Sequence, residues 1–195
     1  MAGDVNQLGT GDLQLVEIED RDLVSKVLAG RTDDFRVLVE RHQQSIFRFA
    51  LRLLGNWDEA EDVTQEAFLA AFANLADYDS SRALFSTWLF TIARNRCFNL
   101  LKHSRPVPLN ELNSIADITP TDSLVSHELS QQLDRALAAL PLEQRSAFVL
   151  AEIEQLPYAE IARIERTSIG TVKSRIHRAK QRLQSLLEPI MREAK

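Results

Sequence analysis

Two groups of side chains carry the chemistry open to this sequence, and their charges are opposite. From Arg166 to Leu187 there is no acidic residue, while Lys173, Ser174, Arg175, His177, Arg178, Lys180, Gln181 and Arg182 offer hydrogen-bond donors. Val172, Ile176, Ala179, Leu183 and Leu186 recur among them at the spacing of one buried helical stripe. A helix with one apolar face and a donor-only face suits the DNA major groove. Phosphates attract the cations, and base edges accept from the forked donors of Arg and the hydroxyls of Ser or Thr. Thr171, Ser174, Arg175 and Arg178 stand at i, i+3, i+4 and i+7, on one face away from the stripe, with Lys173, His177 and Lys180 flanking it toward phosphates. With the segment before it, Pro157–Leu183 reads as short helix, four-residue turn and longer basic helix, the anatomy of a helix-turn-helix. An amphipathic surface helix with a basic outside would show the same residues, so this segment alone leaves both readings open.

The second group is acidic: Asp58, Glu59, Glu61, Asp62 and Glu66 crowd the start of another helix. Its apolar positions Ala60, Val63, Ala67, Phe68, Ala71, Phe72 and Leu75 lie on the opposite side. A carboxylate metal site in a helical bundle needs inward-facing Glu-x-x-His pairs. None of His42, His103, His127 and His177 has an acid three residues before it. The acids therefore read as a solvated face favoured by the helix N-terminus, or as a docking face for a basic partner. The six glycines form neither a phosphate-cradling loop nor a dinucleotide fingerprint, and Cys97 sits in an apolar helix without a neighbouring base. The residues point to no catalytic site, metal or cofactor; a helical-bundle enzyme is the most distant of the readings weighed.

The elements that position these groups follow from the punctuation of the chain. No proline precedes Pro106, and Gly30 and Gly55 mark helix ends. The pattern predicts a helix over 22–29, a second capped by Thr32, a third opened by Asn56 with Glu59, and a fourth from about Leu84 to His103. Trp88, Leu89, Ile92, Ala93, Cys97 and Leu100 form the inward stripe of the fourth, and Arg94, Asn95, Arg96, Lys102 and Arg105 bring donors toward its end. Aromatic and basic residues beside the polar loop ADYDSSR suit unpaired bases, though a buried aromatic core with a basic helix C-terminus accounts for them as well. Residues 105–123 hold three prolines and no helical period, a linker; periodicity resumes near Leu124, stops at Pro141, and returns over Leu142–Gln155. The expected fold is all-α, two small helical modules on a flexible linker, the second a helix-turn-helix.

Charge divides along the same line. Residues 158–195 hold nine Lys/Arg against four Glu, whereas the whole chain of 195 residues carries a net −5. An acidic body with a basic end fits local contact with nucleic acid and another partner elsewhere. The polar, acidic start lacks the pattern of a signal peptide, and no apolar run approaches the ~20 residues of a membrane span. One cysteine excludes an intrachain disulfide, and the expected location is cytoplasmic.

Taken together, three strings resemble the extracytoplasmic-function sigma factors of the sigma-70 family, small specificity subunits of bacterial RNA polymerase. DEAEDVTQEAFLAAF at 58–72 resembles the region that binds core polymerase, FSTWLFTIARN at 85–95 the region that recognises and opens the −10 element, and YAEIARIERTSIGTVKSRIHRAK at 158–180 the helix-turn-helix that reads the −35 element. The resemblance implies an N-terminal extension over 1–21, a region 2 module over 22–104, a linker over 105–123 and a region 4 module over 124–195. It implies core-polymerase contacts at Asp62, Gln65, Glu66, Phe68 and Leu69, with the last two as apolar anchors. It implies −10 contacts at Asp77, Ser80, Arg82, Trp88, Arg94 and Asn95, and −35 contacts at Thr171, Lys173, Ser174, Arg175, His177, Arg178 and Lys180. The implied partners are core RNA polymerase, promoter DNA and an anti-sigma factor, which could hold the protein at the membrane without any insertion of its own. The main rival is a helix-turn-helix regulator that binds DNA without joining polymerase; it leaves the acidic third helix and the aromatic, basic fourth unexplained. One departure stands out: the turn Glu165-Arg166-Thr167-Ser168 lacks the small residue or glycine, followed by proline, that is common in the family, so either Arg166 takes a left-handed conformation at some cost or the turn differs slightly.

Overall fold

The computed structural model describes residues 19–103 and 132–193, and all its regular elements there are helical. The 1–18 part of the expected extension, the whole 105–123 linker and the 124–131 start of the second module lie outside the described residues.

Helix α1 (Asp20–Leu28) begins two residues before its expected start, with Asp20 and Asp22 in its first turn and Lys26 in its last, each on the side the helix dipole favours. It stops where Gly30 turns to φ 99°. Thr32 does not cap the second helix: Thr32–Asp34 is a 3-10 turn without a side-chain cap, and α2 runs Phe35–Leu54. Gly55 at φ 71° ends α2, as its lack of a Cβ permits. Asn56 then caps α3 (Trp57–Ala73), its Oδ1 accepting from the Glu59 N–H at 3.0 Å. After a second 3-10 turn (Leu75–Asp77), α4 runs Phe85–His103.

The second module begins with α5 (132–138). Helix α6 (Leu142–Phe148) passes into a π turn (Val149–Ile153) and stops at Gln155, whose φ of 54° had no sequence signal. The helix-turn-helix follows as α7 (Tyr158–Ile164) and α8 (Ile169–Glu193). Arg166 takes φ 51°, the left-handed one of the two alternatives the turn left open. Its N–H reaches Arg163 O at 3.2 Å and that of Thr167 reaches Ala162 O at 3.0 Å, the paired bonds of a Schellman cap with arginine in the glycine place. Ser168 caps α8, Oγ accepting from the Thr171 N–H at 3.1 Å.

Helix α4 is buried on two sides. Of the predicted stripe, Leu89, Ala93 and Cys97 are buried, while Trp88, Ile92 and Leu100 are only partly covered. Thr87, Phe90 and Phe98 are buried as well, and α7 packs against α4. One apolar core thus runs from Phe49 and Leu89 through to Ile161, Ile164, Val172 and Ile176. The two modules, read from sequence as separate bodies, lie directly against one another. Burial pushes the Cys97 thiol up to about 12, which makes it an inert core residue.

Candidate nucleic-acid and polymerase interfaces

Of the basic-helix residues, Val172, Ile176, Ala179 and Leu183 form the buried stripe, but Leu186 is exposed and Leu187 packs in its stead against α5. Lys173, His177 and Arg178 are open to solvent. Ser174 is half-buried, and Thr171 is held at the helix start by Ser168, Oγ to Oγ1 at 3.0 Å. Lys180 meets Glu152 at 2.9 Å, and this hydrogen bond raises its pKa against the opposing effect of desolvation. Arg175 is the exception to the open face. Its side chain is 25% exposed and its Nη1 donates to Glu165 Oε2 at 2.9 Å.

Glu165 itself is wholly buried, at the end of α7, and serves three partners. Arg94 of α4 donates Nε to Oε1 at 3.3 Å and Nη2 to Oε2 at 3.2 Å, and Ser146 Oγ donates to Oε1 at 2.5 Å. Arg94, 15% exposed, also lies 3.7 Å over the Phe98 ring. Asn95 accepts a long bond from the same guanidinium at 3.4 Å. Arg94 therefore faces the second module, with Asn95 bonded to the same guanidinium.

That loop borders a cavity of about 470 Å³, lined among others by Asp20, Arg41, Tyr78, Ser80, Phe85 and Ser86. Asp79 folds the loop: its Oδ1 accepts from the Ser81 N–H at 2.9 Å and from Ser81 Oγ at 2.6 Å. The same bonds hold its carboxyl below the ordinary value. Tyr78 donates its hydroxyl to Ala83 O at 3.0 Å, and burial, with the charges of Asp20 and Asp79, keeps the phenol protonated by raising its pKa. Trp88 packs behind, its ring 5.3 Å from Tyr78 and 5.9 Å from Phe85. Ser80 thus lines the cavity, Asp77 and Arg82 are exposed close by, and Trp88 supports its aromatic wall.

The far wall was not foreseen. Asp20 of α1 takes Arg41 Nη1 at 2.9 Å and His42 Nε2 at 2.7 Å. Burial alone would raise the Asp20 pKa, but the hydrogen bonds and charges of His42 and Arg41 outweigh it and leave the carboxyl below its usual value. This cluster fixes α1 against α2 through side chains more than twenty residues apart, which no local spacing encodes.

On α3, Asp62, Gln65 and Glu66 are exposed, with Gln65 on Glu61 at 3.4 Å and Glu66 on Arg96 at 2.7 Å. The two apolar neighbours part company. Leu69 is 70% exposed, whereas Phe68 is 7% exposed and belongs to the core, so it presents no free anchor. Phe72, expected inward, is exposed, its edge against Phe35 at a centroid distance of 5.0 Å. The outer face of α3 thus combines acids with Leu69 and Phe72. Among the described residues no three His, Cys, Asp or Glu side chains converge as a metal site, and no helix is long and apolar enough to cross a membrane.

Comparison with known proteins matches both modules. Residues 38–106 match the model of sigma-70 region 2 and residues 130–183 that of sigma-70 region 4. The chain is 33% identical over 180 residues to the ECF RNA polymerase sigma factor SigW of Bacillus subtilis, covering 86% of this chain and 96% of that protein. It is 33% identical over 189 residues to the ECF RNA polymerase sigma-E factor of Escherichia coli K12, covering 90% and 98%. Among solved structures, the sigma factor RpoE in complex with the anti-sigma factor NepR from Bartonella quintana superposes with a TM-score of 0.67 at 29% identity, over 80% of this chain and 97% of that one. CnrH in complex with the cytosolic domain of CnrY gives 0.70 at 26% identity, over 87% and 97%.

Proposed function

The chain belongs to the extracytoplasmic-function sigma factors of the sigma-70 family, and from that premise we propose how its surfaces divide the work of directing core RNA polymerase to promoters. The protein acts as a specificity subunit in the bacterial cytoplasm and performs no covalent step of its own. The outer face of α3, with Asp62, Gln65, Glu66 and Leu69, docks on a basic surface of core polymerase. Charge complementarity speeds and orients that encounter, and Leu69 with Phe72 supplies apolar contact. The cavity under the 77–82 loop receives an unstacked base of the −10 strand. The single observation that carries this is a pocket walled by Tyr78 and Phe85 and edged by the hydroxyls of Ser80 and Ser86, at the start of the helix with the −10 resemblance. An aromatic wall stacks a base, and the hydroxyls hydrogen-bond its edge.

The exposed face of α8 reads the −35 element. Arg178 is the open, forked donor of that face, Lys173 and His177 meet phosphates, and Arg175, engaged by Glu165, stands at its edge. Two tethered modules that read two elements gain from effective concentration, so neither has to bind tightly alone. Of the two solved relatives named above, one is in complex with the anti-sigma factor NepR and the other with the cytosolic domain of CnrY, and this chain is proposed to be held by an anti-sigma factor of its own. Promoter selection tests the assignment. Arg178→Ala should cost about 1–3 kcal/mol and relax preference at one or two base pairs of the −35 element. Lys173→Ala should weaken all promoters alike and lower the salt dependence by about one phosphate contact. A sequence shift in the lysine variant with none in the arginine variant would show that α8 is rotated from this placement.

A further inference from the structure

The groups that line the cavity beside the 77–82 loop differ in how far they can tell one base from another. Tyr78 and Phe85 offer aromatic faces, which stack any base alike. The hydroxyls of Ser80 and Ser86 both donate and accept, so they bond an amine or a carbonyl equally well. Glu19 and Arg21 pair with each other at 2.8 Å and are largely exposed, so nothing holds them in one place. The wall across from the loop is different. Asp20 and Arg41 have fixed polarity there, since an ionised carboxylate only accepts and a guanidinium only donates.

The Asp20 carboxylate is locked in place. Its Oδ1 accepts from Arg41 Nη1 at 2.9 Å and its Oδ2 from His42 Nε2 at 2.7 Å. Because the ionised carboxylate only accepts, Nε2 carries the hydrogen of that bond. The His42 ring lies 5.6 Å from the ring of buried Phe85, which ties the carboxylate to the aromatic wall. Held from α2 through both oxygens, the carboxylate plane cannot turn, yet each oxygen has a second lone pair to offer. Arg41 also offsets its charge, so the wall does not repel a strand of phosphates. The Asp20 side chain is 23% exposed, open to the cavity but not to bulk water on every side.

A base stacked in the cavity with its sugar toward the loop turns its far edge to this wall. On that edge cytosine and adenine carry an amine, N4 or N6, whereas thymine and guanine carry a carbonyl, O4 or O6. We infer that Asp20 is a specificity-determining residue, whose carboxylate accepts from the exocyclic amine and so admits an amino base, cytosine or adenine, to this cavity. Arg41 and His42 are positioning residues that aim it. A keto base would bring its carbonyl oxygen against the carboxylate and leave both acceptors unpaired, the mismatch that a hydrogen-bonding site rejects most strongly. The inference rests on the proposal that the cavity holds an unstacked base of the −10 strand. It adds the chemistry that selects the base, and it assigns that choice to α1, ahead of the 85–95 string and of the region 2 match that begins at residue 38.

The test uses the full chain with core RNA polymerase and alters the DNA before the protein. Each −10 position of a transcribed template carries each of the four bases in turn on the strand that becomes unpaired. One position should favour cytosine or adenine over thymine and guanine by about tenfold. At that position the amine is then removed without adding a carbonyl, with pyrimidin-2-one for cytosine or unsubstituted purine for adenine. The wild-type holoenzyme should lose about tenfold in transcription, whereas Asp20→Asn, whose amide donates as well as accepts, should lose less than about twofold and tolerate thymine. His42→Ala, which releases Oδ2 and lets the carboxylate turn, should keep only part of the wild-type loss. Circular dichroism checks that both variants are folded. Equal transcription by the wild type with and without the amine overturns the inference, whether or not a variant folds. So does an equal loss in wild type and Asp20→Asn, and so does a keto preference that disappears in Arg41→Gln, which would move the reading to the guanidinium. If instead an abasic sugar at every −10 position leaves transcription unchanged, the cavity takes no base and the underlying proposal has failed, an outcome distinct from these.

Discussion

Replacing Asp62 and Glu66 together by lysine should abolish association with core RNA polymerase and leave the helical content unchanged. The first part follows from placement. Both carboxylates stand exposed on the outer face of α3, so the double change moves the local charge by four units where a basic partner is expected. The second part follows from how little the fold asks of them. Glu66 meets Arg96 at 2.7 Å, but the pair is about half exposed on both sides, and surface pairs contribute about 0–1 kcal/mol. Leu69→Ala should weaken the same association with no loss of stability. Phe68→Ala cannot serve as a binding probe, because its ring is part of the core and its truncation costs about 3–5 kcal/mol. Co-purification with polymerase reads the first two changes and thermal unfolding the third. If the double lysine variant co-purifies as well as wild type, the acids of α3 are a solvated face and nothing more.

The second large effect is expected at Glu165. Glu165→Ala strips the acceptor from Arg94, Arg175 and Ser146 in one step. Removing one partner of a buried pair strands the others and costs about 3–5 kcal/mol. The loss should fall near 3 kcal/mol, because both guanidinium groups keep some exposure and can turn to water, whereas Ser146 cannot. Urea unfolding gives the value directly. Glu165→Gln should retain the Ser146 bond and recover part of it. A change below about 0.5 kcal/mol, the range of ordinary surface substitutions, would mean that the carboxylate is not the hub its contacts indicate.

Much of this was legible in the sequence, and the limits have physical causes. Gly30 and Gly55 ended helices because only the absence of a Cβ makes φ 99° and 71° cheap. Of the two conformations the sequence left open at the turn, the structure takes the left-handed one at Arg166, because the paired cap bonds require it whatever residue stands there. The stripe of α8 followed from its period as far as Leu183, then failed at Leu186, since a period shows which face is apolar but not where the covering helix ends. Phe72 failed for the same reason. Among the candidate contacts, exposure now separates residues that sequence treated alike: Leu69 from Phe68, and Arg178 from Arg175. The Asp20–Arg41–His42 cluster and the shared carboxylate of Glu165 were invisible because each joins side chains distant in the chain. The closeness of the modules was hidden too. Helix α4 was read as one inward stripe, whereas Thr87, Phe90 and Phe98 are buried besides it and α7 packs against the helix.

Promoter-dependent transcription with purified core RNA polymerase tests the central claim most directly. With the folded chain added, core enzyme should produce discrete transcripts from a subset of genomic templates, and mutation of either the −10 or the −35 element of such a template should remove them. Core enzyme that yields no template-dependent start with the chain present, while the chain alone binds the same duplexes tightly, would contradict the account and leave a DNA-binding regulator that never enters the polymerase.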